Sequence, residues 1–175
     1  MSAAAALALL LHPLAATASD FERSADFCRA GKAFGIKLGS GEIEGQHLSV
    51  TSSLVALAPD YRPFDSAEAV VTLHGRRTHT VHGEADFDND GDAVEARVQI
   101  RAALIAAGWQ SKQDRQSAAG EIFYSSSAAS DLAKPRGLVA DLFTLGSRLY
   151  FSCSDAALLK KSRAEFPPPA GAPPR

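Results

Sequence analysis

Residues 138–153 constrain the fold more than any other stretch. Two runs, Leu138 to Leu145 and Arg148 to Cys153, flank Gly146-Ser147. Glycine in the first of two turn positions matches a type II′ hairpin, whose twist suits antiparallel strands. Side chains alternate along a strand, so Leu138, Ala140 and Leu142 share a face with Leu149, Phe151 and Cys153. That face is continuously apolar and requires a covering layer. The opposite face mixes Val139, Phe143, Leu145 and Tyr150 with Asp141, Arg148 and Ser152. It is expected to meet either another helix of the chain or a partner.

The rest of the sequence supplies helices and further strands. Phe21, Ala25 and Cys28 recur at helical spacing before Gly35, which predicts a helix over 20–34. The longest helix is expected over 92–107, with Val94, Val98, Ala102 and Ile105 on one stripe and Ile100 and Leu104 widening it. Gly108 ends it, and Trp109 is expected to fold back onto the core. Ser154 reads as the N-cap of a final helix over 155–165 with Leu158 and Leu159 facing inward. Strands are expected over 48–57, with a phase change near Ser52-Ser53, over 69–74 and 78–85 around Gly75-Arg76-Arg77, and over 121–125. Residues 111–120 read as loop. Hairpins outnumber strand-helix-strand crossovers, so the expected class is α+β: one antiparallel sheet with helices packed mainly on one face, in a single domain.

A chain of 175 residues and 18.4 kDa accommodates one such domain. Its first eighteen residues carry no charged side chain and end in Ala16-Thr17-Ala18, the small-residue pattern of a cleaved secretory signal. The expected organisation is therefore a signal peptide at 1–18, the domain at 19–166 and a proline-rich tail at 167–175. The absence of Lys or Arg before the apolar run fits an atypical signal or a true start further upstream; the competing reading is a buried N-terminal helix. The run is short beside the roughly 20 residues that span a bilayer core, so no span is expected in the mature chain, whose location is read as periplasmic or secreted. Net charge is −2, and the basic residues are scattered. That pattern argues against nucleic acid as a partner, since phosphate recognition needs clustered cations. The partner expected instead is a protein or small ligand of the cell envelope.

Export bears on the two cysteines. Cys28 lies on the expected inward stripe of the first helix and Cys153 on the apolar hairpin face. An oxidising compartment then favours a Cys28 to Cys153 disulfide over two buried thiols.

The most pointed chemical motif is Asp86-Phe87-Asp88-Asn89-Asp90-Gly91-Asp92. Acidic groups at alternate positions followed by glycine match the first half of a calcium loop, which would use Asp86, Asp88, Asp90 and Asp92. The position that should close such a loop is Arg97, a cation. Acidic residues before a helix also satisfy its free amides and complement its dipole without any metal, and the residues favour this reading. No cofactor is therefore expected, with calcium as the alternative. His74 and His79 face each other if Arg76-Arg77 forms the turn, where they could share a metal with Asp86 or His47, while His82 points the other way; exposed strand histidines without metal are the simpler account. No Gly-x-Ser-x-Gly elbow, zinc-protease helix or phosphate-cradling loop is present. The sequence thus favours a noncatalytic exported binding or assembly module. The alternative is a small secreted hydrolase or a calcium-dependent module built on residues 86–92.

Overall fold

The computed structural model describes residues 21, 23–40, 42, 43, 46, 47, 52–71, 77–113 and 120–165. The expected signal segment and the proline-rich tail lie outside these. In chain order the strands are β1 (Cys28–Arg29), β2 (Lys32–Ala33), β3 (Ile36–Lys37), β4 (Glu42–Ile43), β5 (Gln46–His47), β6 (Ser52–Ala56), β7 (Ser66–Val71), β8 (Thr78–Asp86), β9 (Gln110–Gln113), β10 (Gly120–Tyr124), β11 (Leu138–Leu145) and β12 (Arg148–Asp155). The α-helices are α1 (Asp90–Ala106) and α2 (Ala156–Glu165). Seven strands form one antiparallel sheet in the order β6-β7-β8-β12-β11-β10-β9. The fold is α+β, as the hairpin-rich sequence predicts.

The hairpin at its centre has the expected register. Leu145 pairs with Arg148 across Gly146-Ser147, and Gly146 has φ +59°, the left-handed first position of a type II′ turn. Leu142 lies opposite Phe151 and Ala140 opposite Cys153; all four are fully buried. With Val81, Ala67, Ala69 and Phe123 they make the inner face of the sheet.

Two layers cover this inner face. The first is α1, which buries Ala93, Ala96, Ile100 and Leu104 and leaves Val94, Val98 and Ile105 42%, 52% and 41% exposed. The buried face is therefore centred about 150° round the helix from the expected stripe, at 100° per residue. Two alanines let the helix axis approach the sheet closely, and the bulkier valines face outward. Trp109 does fold back, and its amide bonds to the Leu104 carbonyl at 3.0 Å.

The second layer is aromatic and replaces the helix expected over 20–34. A 3₁₀ turn, Arg23–Phe27, leads into β1, β2 and β3. These short strands are joined by Ala30-Gly31 (φ 52° and 75°) and Phe34-Gly35 (φ 49° and 79°). Positive φ at both central positions is the type I′ geometry that suits a two-residue hairpin. The turns place Phe27 and Phe34 on Phe151, at ring separations of 6.1 and 5.7 Å, and Phe64 completes the cluster 5.3 Å from Phe34. They also bring Cys28 to Cys153. The two form a disulfide across 125 residues with Cα atoms 5.6 Å apart.

Other expectations are corrected locally. Ser111 to Gln113, expected as loop, pair with β10 as part of an edge strand over Gln110–Gln113. Ser154 lies in β12, and Asp155 caps α2 in its place by accepting the Leu158 amide at 2.9 Å. The helices are also not confined to one face: α2 lines a cavity with outer-face residues of the sheet. Asp155 is both the end of β12 and the cap of α2, so the chain turns into the helix without the linker needed to cross to the inner side. That side is already filled by Phe27 and Cys28.

Candidate functional site

The cavity of about 440 Å³ lies where β12 gives way to α2. Strand alternation supplies its floor from the outer face: Ile122 and Tyr124 of β10, Val139 and Asp141 of β11, Ser152 and Ser154 of β12, and Thr80 of β8. One wall is α2, through Ala156, Leu159, Lys160 and Arg163; the other is the 125–137 connection, through Ala129, Leu132 and Pro135.

Backbone and side-chain bonds hold that connection in place. Ser125 and Leu138 pair through their main chains at 3.0 Å, and Ser125 Oγ accepts the Leu138 amide at 2.8 Å. The Arg136 amide donates to the Ala128 carbonyl at 2.9 Å, and the Ala156 amide to the Gly137 carbonyl at 3.0 Å. Lys160 spans the two walls, its Nζ donating to the carbonyl oxygens of Leu132 and Ala133, both at 2.8 Å. Lys160 is thus a latch between helix and connection, with one donor left over from its three.

A polar relay runs into the floor. Ser154 Oγ and Thr80 Oγ1 are 2.8 Å apart, as their register requires, and Thr80 Oγ1 is 2.8 Å from His79 Nδ1. His79 is 6% exposed. Burial pushes its pKa below the ordinary imidazole value, and the negative charge of Glu165 opposes this in part. With the ring proton on Nε2, Thr80 donates to His79 and Ser154 donates to Thr80. With the proton on Nδ1, the relay reverses and the Ser154 hydrogen turns toward another acceptor.

The residues singled out in the sequence stand elsewhere. Asp86 lies at the end of β8, with its carboxylate oxygens taken by Arg148 at 2.6 and 3.5 Å. Asp88 is exposed, and Asp90 and Asp92 occupy the first turn of α1. Asn89 caps that helix, its Oδ1 accepting the Asp92 amide at 3.0 Å and its Nδ2 donating to the Asp92 carboxylate at 2.9 Å. Among the described residues no group of three or more His, Cys, Asp or Glu side chains is arranged to hold a metal ion. His82 pairs with Glu68 at 2.8 Å. The proposed His74 to His79 pairing lies outside the described residues because His74 does.

On the outer hairpin face, Val139, Asp141 and Ser152 line the cavity, and Phe143 stacks on Tyr150 at 4.6 Å. Sequence reasoning missed Thr80, Ser154, Lys160 and Arg163. The one local signal was Lys160 and Arg163 at i,i+3 beside Leu159, which puts two cations along the edge of an apolar helical stripe. No protein-family model, curated protein or solved structure matches the chain.

Proposed function

We propose that the protein is a noncatalytic binding module of the periplasm or extracellular space, and that the cavity between α2, the 125–137 connection and the outer sheet face takes a small, largely apolar ligand. The observation that carries this reading is the cavity. Its volume of about 440 Å³ falls in the range of small-molecule sites, and apolar walls with a few convergent polar groups are the usual composition of such sites. Export is supported by the Ala16-Thr17-Ala18 pattern and by the disulfide, which persists in oxidising compartments. Among the described residues no helix is long and apolar enough to cross a membrane.

Titration with a polarity-sensitive fluorescent probe tests the cavity. Saturable binding is expected for the wild type, and Val139→Trp, which fills the space from the floor, should remove it while the melting temperature holds. Equal binding by both proteins would overturn the assignment. Intact-mass analysis of exported protein should find Ser19 as its first residue.

A small hydrolase is the second reading, and the His79, Thr80 and Ser154 relay favours it by linking an imidazole to a hydroxyl on the cavity wall. Thr80 stands between them, so proton transfer from Ser154 would have to pass through the threonine. Turnover of short-chain esters that is lost in both Ser154→Ala and His79→Gln would favour this reading over binding alone.

A further inference from the structure

We propose that the ligand of this cavity is an aliphatic carboxylate, with its chain against Ile122, Val139, Leu132 and Leu159 and its anionic head on Arg163. This rests on the cavity being the ligand site. Three charged side chains line it: Lys160, Arg163 and Asp141. Asp141 has an interaction of its own within the protein. Lys160 spends two donors on neutral carbonyl oxygens, which hold its position without cancelling its charge. Arg163 is exposed, three residues further along the same helix wall, and makes no hydrogen bond or ion pair among the described residues. The surplus charge of the site is therefore positive and sits on the α2 side. A guanidinium presents a planar fork that matches a carboxylate.

The rest of the lining is aliphatic or hydroxylic. An apolar chain loses no hydrogen bonds against the first kind of surface, and of the second, Thr80 and Ser154 are already paired with each other. A cationic amphiphile would bring like charge to Lys160 and Arg163. A neutral one would fill the same space without using the guanidinium. Arg163 also lies in the last turn of α2, where a cation complements the helix dipole. That role would make the helix sensitive to its removal but leave carboxylate and alcohol equally bound.

The test displaces the fluorescent probe from the full-length oxidised protein with decanoate, decanol and decyltrimethylammonium at low salt, decanol below its solubility limit and the two ions below their micelle-forming concentrations. Decanoate should compete best, by up to about fivefold over decanol, the advantage expected of one exposed ion pair. Raising the salt should erode that advantage. In Arg163→Gln decanoate should fall to the level of decanol, while decanol itself is unchanged. Equal competition by decanoate and decanol in the wild type would overturn the carboxylate assignment and leave the cavity standing, as would equal weakening of both by Arg163→Gln. If none of the three displaces the probe, or if Val139→Trp binds the probe as the wild type does, the cavity reading fails and takes the assignment with it.

Discussion

Gly83 is the residue on which the aromatic layer turns. It sits on the inner face of β8 opposite Phe151, and a Cβ there would lie 3.0 Å from Phe64 Cδ1 and 3.2 Å from Phe34 Cζ. Neither ring can retreat alone, because each is packed on the other and on Phe27. Gly83→Ala is therefore expected to cost about 1–3 kcal/mol by overpacking, read from the urea midpoint; an unchanged midpoint would show that the layer yields. His79 makes a prediction of opposite character. Its folded-state pKa is depressed by burial, with Glu165 opposing. The unfolded chain therefore takes up the proton first as pH falls through the ordinary imidazole range. Stability is full above that range and declines below it. Denaturation midpoints should drop between about pH 7.5 and pH 5.5 and drop less in His79→Gln; identical pH profiles for the two proteins would count against the buried neutral ring.

At the scale of elements, α1 separates what sequence periodicity can and cannot decide. Its existence followed from the apolar spacing, but its orientation did not. Ile100 and Leu104 belong to both candidate stripes, and the choice between Ala93-Ala96 and Val94-Val98 depends on how closely the sheet must be approached. Ile100→Ala should cost about 2–5 kcal/mol, whereas Val98→Ala should change stability by no more than about 0.5 kcal/mol. Similar losses for both would restore the valine stripe. The start of the same helix explains the acidic run: Asn89 caps it and Asp92 answers Asn89. Asn89→Ala should cost about 1 kcal/mol. Calcium at about 1 mM, the weak extracellular range, should leave the melting temperature unmoved, and a rise would revive a site at Asp86, Asp88, Asp90 and Asp92. The central hairpin was legible because Gly146-Ser147 fixes register locally. Residues 23–37 were not, because Phe27 and Cys28 owe their positions to Phe151 and Cys153, which helical spacing cannot see. The cavity was the least legible feature, since its lining comes from six separated segments that contribute one to four residues each.

For the whole molecule, the disulfide closes 125 residues of chain, and the chain-entropy model sets its contribution at up to about 5 kcal/mol. Cys28→Ser and Cys153→Ser should lower the melting temperature by similar amounts, and the double variant should cost little more than either; an additive double loss would mean that each sulfur matters by its packing alone. The same connectivity bears on the order of events during synthesis. β12 stands at the middle of the sheet, between β8 and β11, and Arg148 meets Asp86 at a sequence separation of 62. A nascent chain leaving the ribosome therefore carries β8 with one side open until residues 148–155 have been made. Through most of its translation it therefore has no finished sheet to fold into.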